Sequence, residues 1–106
     1  MVGKLNMTVE LYTLRIFNDG CDPTNYRILK MLPSDFKTIS KNIGIKKMAT
    51  ARRLNILLKY SLLTWEKRKG RIEPTHLSEE LIKIIETIKK GIKLKLPEIL
   101  PLILEK

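Results

Sequence analysis

The chain has 106 residues, of which 43% are hydrophobic and 30% charged, and a formal net charge of +10 at pH 7. This length suits one small domain with a single core, and no apolar run approaches the roughly 20 residues that span a bilayer. The first residues lack the apolar region of a signal peptide. The single cysteine excludes an internal disulfide framework, so we expect a protein of the reducing cytoplasm.

The excess positive charge is confined to one third of the chain. Residues 37–71 contain eleven Lys and Arg residues and one acid, Glu66, whereas the rest of the chain has ten basic and ten acidic residues. A charge confined in this way is typical of a surface that binds a polyanion. Nucleic acid is the expected partner. An anionic membrane fits less well, because the segment lacks a set of exposed aromatic anchors.

The first element has two interpretations, and the sequence leaves both open. Apolar residues at positions 5, 7, 9 and 11 alternate as in a strand. Met7, Leu11 and Leu14 also fit the apolar stripe of a helix. Under either interpretation, the run from Asn18 to Gly20 predicts the end of the element.

A helix is predicted to begin after this run. Asp22 is a good N-cap, and Pro23 suits the first helical position, where its missing N–H costs nothing. Tyr26, Leu29 and Ile28 belong to its buried stripe. The helix is expected to end before residue 33, which is a proline.

Two more helices are predicted across residues 35–61. The first covers about residues 35–43, with Ser34 or Asp35 as its N-cap, and Gly44 closes it in the left-handed conformation. The second begins near Lys47. With about 100° per residue, its core stripe consists of Thr50, Leu54, Leu57 and Ser61, with Leu58 beside them. Its opposite face is cationic and consists of Met48, Arg52, Asn55 and Lys59, with Arg53 at the flank.

A basic β-hairpin is predicted after the third helix. Residues 62–66 and 71–73 are its strands, and residues 67–70, Lys-Arg-Lys-Gly, are its turn. Trp65 is interpreted as a strand-packing residue, because the other aromatic residues do not form the pattern of a base-stacking surface.

The last predicted helix is capped by Ser78. Its broad apolar face consists of Leu81, Ile84, Ile85, Ile88 and Ile92. The tail from residue 94 is rich in Leu and Ile, and Pro97 and Pro101 are expected to break it. It has room for one more short helix.

The order of helix, short helix, turn, basic helix and basic hairpin is that of a winged helix-turn-helix domain. Residues 22–80 also contain several short runs that occur at corresponding places in known repressors of this fold. They are Asp22-Pro23-Thr24 before Arg27-Ile28-Leu29, Ile39-Ser40, Gly44-Ile45, Arg52-Arg53-Leu54 and Leu62-Leu63. On these residues the segment resembles the DNA-binding domain of the ArsR and MarR repressor families. The resemblance implies a mainly α fold with a small β-hairpin wing, which binds DNA and regulates transcription.

The sequence also departs from those families. The second helix lacks the paired cysteines of the ArsR metal sensors. Ser61 stands where the families have a glycine before the wing, so we expect a different cap at the end of the third helix. Lys46, Met48 and Ala49 replace the polar residues of the usual turn into this helix. The base contacts of relatives therefore do not transfer to this chain.

The DNA-contacting residues are predicted from their positions in the motif. Residues near the start of the third helix reach base edges in this motif, so Lys47, Met48 and Arg52 are expected at the groove floor. Met48 could pack on a thymine methyl group, and Arg52 could bond guanine O6 and N7. Arg53, Asn55 and Lys59 are expected closer to phosphate, and Lys37 and Thr38 are candidate phosphate clamps. The full predicted set is Lys37, Thr38, Lys46, Lys47, Met48, Arg52, Arg53, Asn55, Lys59, Lys67, Arg68, Lys69 and Arg71. The alternative interpretation is a solvated face with ordinary surface charges.

Catalysis and metal binding are not expected. His76 is the only histidine and Cys21 the only cysteine, and no further ligand pair accompanies them. The sequence has no glycine-rich phosphate loop and no arrangement typical of a nucleophile with its base. We therefore predict a protein without enzymatic activity or cofactor. The sequence also shows no set of polar residues that would form a pocket for a ligand.

Three segments are predicted. Residues 1–21 serve dimerisation or packing, residues 22–77 form the DNA-binding domain, and residues 78–106 form a helix and apolar tail for dimerisation. The predicted dimer contacts are the five apolar residues of the last helix, from Leu81 to Ile92. A homodimer would bind a pseudo-palindromic operator as a repressor in the cytoplasmic nucleoid. Two alternatives remain open: a winged-helix adaptor of transcription, replication or plasmid-partition machinery, and a coat that binds DNA without sequence preference.

Overall fold

The computed structural model describes the backbone of residues 2–104 and the side chains of residues 7–98 and of Pro101. Within these residues the chain forms five helices and three short strands. In chain order they are α1 (Val2–Gly20), α2 (Pro23–Met31), β1 (Ser34–Asp35), α3 (Phe36–Ile43), α4 (Lys47–Lys59), β2 (Leu63–Glu66), β3 (Arg71–Pro74) and α5 (His76–Leu104). The prediction of a mainly helical fold with a small β-hairpin is confirmed.

The first element is a helix, which decides between the two interpretations of residues 1–17. Only its end is buried: Ile16 and Gly20, four residues apart, are buried, whereas the side chains of residues 7–15 are exposed. Among the exposed ones, Tyr12 still contacts Tyr60 at the end of α4, with 5.5 Å between ring centroids. Gly20 is needed where α1 meets α5, because a Cβ placed on it would lie 2.3 Å from Cδ2 of Leu81.

The starts of α2 and α3 are capped by carboxylates. Asp22 accepts hydrogen bonds from the backbone N–H groups of Thr24 and Asn25, at 3.0 and 3.1 Å, which confirms the predicted N-cap. Asp35 accepts from the N–H of Thr38 at 2.8 Å and is the cap of α3. Of the two predicted caps, both of which lie in β1, Asp35 is therefore the one that caps α3 and Ser34 is not.

The three strands form one antiparallel sheet with β3 in the middle. Trp65 of β2 and Ser34 of β1 both pair with Ile72 of β3, which is completely buried. β1 was not predicted, because a strand of two residues is too short to show an alternating pattern. The hairpin is thereby joined to the segment that leads into α3.

The core contains one or more residues from every helix and from β2 and β3. Its buried apolar members are Ile16, Ile28, Leu29, Ile39, Leu54, Leu57, Tyr60, Leu62, Leu63, Ile72 and Leu81. The predicted burial of Thr50, Leu54 and Leu57 on α4 is confirmed. The predicted burial of Leu58 is wrong: its side chain is 37% exposed, because one residue beyond Leu57 it is turned about 100° around the helix. Ser61 of the predicted stripe is also exposed, because α4 ends before it, at Lys59.

The end of α4 also differs from the prediction. Ser61 itself adopts the left-handed conformation, with φ 59°, as a glycine would. The N–H of Ser61 donates to the carbonyl of Leu58, and that of Leu62 donates to the carbonyl of Leu57. These two bonds are those of a Schellman motif. The expectation of a different cap was wrong, because the motif is kept despite the serine.

α5 begins earlier and continues further than predicted. Its cap is Thr75 rather than Ser78: the N–H of Ser78 donates to Thr75 Oγ1 at 3.2 Å, and the N–H of Thr75 donates to Ser78 Oγ at 3.0 Å. The helix then runs through Pro97 and Pro101, so the predicted break is wrong. Residues 87–98 are exposed, so water can bond the carbonyl groups that the prolines leave without a donor.

Candidate nucleic-acid interface

A cleft with a volume of about 530 Å³ lies between α3 and the start of α4. Its walls are formed by Phe36, Lys37, Ser40, Lys41 and Lys47. The three lysines form no ion pair with any residue that the structure describes. The fold thus brings three unpaired cations from two helices to one concave site.

Two residues of this cleft, Ser40 and Lys41, were not among the predicted contacts. Lys41 is exposed and lies four residues after Lys37, so both occupy the same face of α3. This spacing could have identified Lys41 from the sequence. Ser40, three residues after Lys37, lies on the same face, but an uncharged serine gave no reason to select it before the structure placed it at the cleft.

The N-terminus of α4 has no capping side chain. Its N-cap residue, Lys46, forms no side-chain capping hydrogen bond, and the first turn contains no acidic residue. The N–H groups of this turn therefore have no side-chain acceptor, and the helix dipole adds positive potential there. The starts of α2 and α3, by contrast, are occupied by Asp22 and Asp35.

The outer face of α4 is exposed as predicted from its periodicity. Arg52 and Asn55 are exposed, and Met48 is 72% exposed. Because Leu54 and Leu57 are completely buried on the opposite side, the helix cannot turn about its axis without losing core contacts. The direction in which the exposed side chains of α4 point, relative to the rest of the domain, is therefore fixed.

Arg53 has partners inside the protein. Its Nη1 donates to Asp22 Oδ1 at 2.8 Å and to Asn25 Oδ1 at 3.1 Å. Asn25 in turn donates from Nδ2 to the carbonyl of Asp19 at 2.8 Å. The N–H of Asn25 and the nearby guanidinium of Arg53 lower the pKa of Asp22. Arg53 therefore ties α4 to the start of α2, whereas Arg52 has no such partner among the described residues.

The same network borders a groove of about 720 Å³ between the end of α1, the start of α2 and α4. Its lining includes Asp19, Asn25 and Arg52. That these polar residues line one groove was not predicted from the sequence. The residues come from segments some 30 positions apart, so no local pattern in the sequence could have shown them together.

Thr38 is already bonded within α3. Its hydroxyl donates to Asp35 Oδ2 at 2.9 Å, and its N–H donates to Oδ1 of the same carboxylate. The hydrogen bond from the backbone N–H of Thr38, and to a smaller extent that from its hydroxyl, lower the pKa of Asp35. The hydroxyl proton that Thr38 would donate to a DNA phosphate is therefore already used in the hydrogen bond to Asp35.

The basic residues of the β2–β3 hairpin differ in their surroundings. Lys67 Nζ lies 4.9 Å from the ring centroid of Trp65, and that ring stacks on Phe36 of α3 with 5.8 Å between centroids. Arg71 Nε is 2.8 Å from Glu73 Oε1, and Lys69 Nζ is 4.0 Å from Glu66 Oε1. Of the hairpin cations, Arg68 alone has neither a carboxylate nor an aromatic partner within the described residues.

Lys59, another predicted contact, lies at the far end of α4. Its Nζ is 5.8 Å from the ring centroid of Tyr60, and it lines a small groove with Tyr12 and Arg15 of α1. It is therefore separated from the α3–α4 cleft by the length of the helix.

The predicted dimer contacts on α5 divide into two groups. Leu81 is 3% exposed and Ile85 is packed against the core, so both contribute to the protomer itself. Ile84, Ile88 and Ile92 are exposed, as are all side chains of residues 87–98, which we call the outer part of α5. The last polar contact before it is at Glu86, which accepts from the hydroxyl of Tyr26.

Comparison with known proteins gives no further guidance: no protein-family model matches the chain, and no curated protein matches it. Among the described residues, no three or more His, Cys, Asp or Glu side chains are grouped so that they could hold a metal ion. No helix within the same residues combines the length and the apolar character that crossing a membrane requires.

Proposed function

We propose that the protein is a winged helix-turn-helix regulator of transcription that binds double-stranded DNA as a homodimer. α4 is the recognition helix in the major groove, and the β2–β3 hairpin contacts the minor groove or its phosphates. It acts as a repressor by occupying its operator, within the nucleoid of the cytoplasm. It is a binding protein of the class that the ArsR and MarR families exemplify, without catalytic activity.

One observation carries this proposal. Within residues 37–71, the described basic side chains that form neither an ion pair nor an aromatic contact are Lys37, Lys41, Lys46, Lys47, Arg52 and Arg68, and all but Arg68 lie on α3, α4 and the turn before α4. Both helices rest on completely buried side chains, Ile39 of α3 and Leu54 and Leu57 of α4. Cations on helices that the core holds in place are suited to a polyanion with a regular surface.

The geometry also divides the predicted contacts by role. Met48, Arg52 and Asn55 lie along the exposed face of α4 and are assigned to base edges. Arg53 is assigned to the internal tie with Asp22 rather than to phosphate. Arg68 at the hairpin turn is assigned to the adjacent groove.

Selection of bound sequences from a random duplex pool, repeated at two salt concentrations, tests the proposal. If about six phosphates are neutralised, log K should fall with log[salt] at a slope of about −5. An enriched, pseudo-palindromic motif that persists at the higher salt supports the specific regulator. A duplex affinity that is equal for all sequences would support the sequence-blind coat instead.

A charge-reversal variant identifies the surface. Arg52→Glu should abolish binding to the selected duplex, since it places a negative charge against the major groove. Arg27→Glu, at an exposed position of α2, is the matched control and should bind nearly as the wild type does. Equal losses for both would show that only net charge matters and would contradict a recognition role for α4.

The homodimer is proposed from the outer part of α5. Its exposed stripe of Ile84, Ile88 and Ile92 has no cover within the described protomer. Charge differs along the helix: the described acids near its start include Glu79 and Glu80, whereas Lys89, Lys90, Lys93 and Lys95 follow later. An antiparallel pair of α5 helices would bury the stripe and set the acidic part of each copy near the basic part of the other.

The molar mass in solution tests this pairing. Ile88→Glu should give a monomer in light scattering, because it places a charge in the centre of the stripe. Thr87→Glu, an exposed neighbour, is the control and should remain dimeric. A monomeric wild type at micromolar concentration would overturn the homodimer but not DNA binding by the protomer.

The adaptor remains a second candidate because of the same exposed stripe. A protein partner that covered it would also account for the apolar side chains on α5. The two functions differ in their response to Arg52→Glu: a repressor loses its function, whereas an adaptor that docks through α5 keeps it.

A further inference from the structure

We propose that the cleft between α3 and the start of α4 is a binding site for one phosphate group of the duplex backbone. This inference rests on the proposed DNA-binding function and names the ligand of one part of that surface. It adds Ser40 and Lys41 to the interface, and it moves Lys47 from base reading to phosphate binding.

The cleft has the charge that a phosphate requires. Lys37, Lys41 and Lys47 line it, and no carboxylate does. The nearest acid in the sequence, Asp35, is engaged by two bonds from Thr38. An oxyanion placed in the cleft would therefore meet three cations and no carboxylate in the lining, although Lys37 also contributes to the lowered pKa of Asp35.

The cleft also has neutral hydrogen-bond donors. The hydroxyl of Ser40, which is half-buried, forms no hydrogen bond with the described residues. The first turn of α4 is uncapped, since Lys46 provides no side-chain acceptor. Free N–H groups at a helix start bind phosphate oxygens, and the helix dipole favours the negative charge. Lysines from α3 and backbone donors from α4 thus meet at the same place.

The shape of the cleft is fixed by the fold. Phe36, which forms part of its wall, stacks on Trp65 of β2 with an angle of 6° between the rings. Ile39 of α3 and Thr50 of α4 are completely buried. A phosphate held here would set the register of α4 along the groove, whereas the bases would be read by residues further along the helix.

A coupling experiment on the full-length protein tests the site. The probe is the duplex obtained by selection, prepared as a series in which one phosphate at a time is replaced by an uncharged methylphosphonate. Lys41→Ala should weaken binding several-fold for all sequences and reduce the magnitude of the salt slope by about 1. At one phosphate, methylphosphonate should weaken wild-type binding but have little further effect on the variant.

Three further variants make the outcome decisive. Lys41→Arg keeps the charge and should restore most of the affinity, whereas Arg27→Ala, at an exposed position of α2, is a matched loss of charge and should bind as the wild type does. If Lys41→Ala matches Arg27→Ala while Arg52→Ala loses binding, the cleft proposal is overturned and the DNA-binding function stands. If the wild type binds no duplex, both fail. Additive effects of Lys41→Ala and methylphosphonate at every position would also overturn the site.

Discussion

The α3–α4 face and the outer part of α5 are both exposed, but they differ in what lies behind them. Behind the charged face of α4, Leu54 and Leu57 are completely buried, and Arg53 ties the helix to Asp22. On the outer part of α5, by contrast, the side chains of residues 87–98 are all exposed, and the apolar stripe borders only an open groove beside Cys21. The first surface is therefore held by the core of one protomer, whereas the second has no core beneath it.

This difference separates two kinds of interaction surface. Charged side chains that read a regular polymer need positions fixed in advance, because each misplacement costs contacts along the whole groove. An apolar stripe needs only to be buried, and a second copy can supply both the cover and the rigidity. The predictions below test whether the two regions are as independent as their packing indicates.

The largest effect is expected from Leu54→Ala, which would break the rigid region. Removing a completely buried leucine should lower the free energy of unfolding by about 3 kcal/mol. Ile88→Ala is the comparison, because this side chain is 55% exposed and should change protomer stability by less than about 0.5 kcal/mol. Urea denaturation at concentrations where the chain is monomeric measures both. Similar losses would mean that the α5 stripe belongs to the core.

A smaller loss is expected from Gly20→Ala, at the point where α1 meets α5. The new methyl group would overlap Leu81, which is buried and cannot easily move, so we expect a loss of about 2 kcal/mol. Gly91→Ala is the matched control: nothing lies within 4 Å of its Cβ position, so it should stabilise α5 by about 0.5–1 kcal/mol.

Combining Gly20→Ala with Leu81→Ala provides a further check on this contact. Because the second substitution removes the atom that the new methyl group meets, the double variant should lose less stability than the sum of the two single losses. Strictly additive losses would show that α1 and α5 adjust to each other without strain.

Ser61→Gly should increase stability at the end of α4. The serine has φ 59°, and a non-glycine residue in this region costs about 1 kcal/mol or more. We therefore expect the glycine variant to be about 1 kcal/mol more stable, in thermal and urea unfolding. Ser61→Ala should show no such gain. An equal gain for alanine would point to the hydroxyl rather than to the backbone conformation.

The smallest expected effect concerns the contact that joins α2 to α5. The hydroxyl of Tyr26 donates to Glu86, which raises the pKa of Tyr26 to about 12 and lowers the pKa of Glu86 below 4.5. The contribution of Tyr26 is fully present below pH 10 and is lost towards pH 12. That of Glu86 is present above pH 4.5 and is lost in more acidic solution.

Tyr26→Phe should therefore be less stable than the wild type near neutral pH, and the difference should shrink at both ends of the pH range. Unfolding free energies measured from pH 3 to pH 12 check this. Lys30 Nζ also lies 3.5 Å from Glu86 Oε1. In a second variant, Lys30→Met, the free energy of unfolding should therefore fall less on acidification than it does in the wild type. A difference that does not vary with pH would contradict the role of the hydrogen bond.

Local patterns were sufficient for the elements that end in strong signals. Asp22 with Pro23 predicted the start of α2, and Gly44 predicted the end of α3, because a cap acts through bonds within a few residues. The periodicity of α4 predicted its buried and exposed faces apart from Leu58. The tail was predicted wrongly, because proline was treated as a helix breaker although an exposed helix can lose a hydrogen bond to water.

The sequence by itself determined the mainly helical fold, the hairpin and the third of the chain that carries the net charge. Only the tertiary structure decided which of those charges are free. It paired Arg53 with Asp22, and it placed Lys41 beside Lys47 in a cleft. The physical reason is that charge and periodicity are properties of single residues and their neighbours along the chain. Whether a cation has a partner depends instead on carboxylates that packing brings from distant segments.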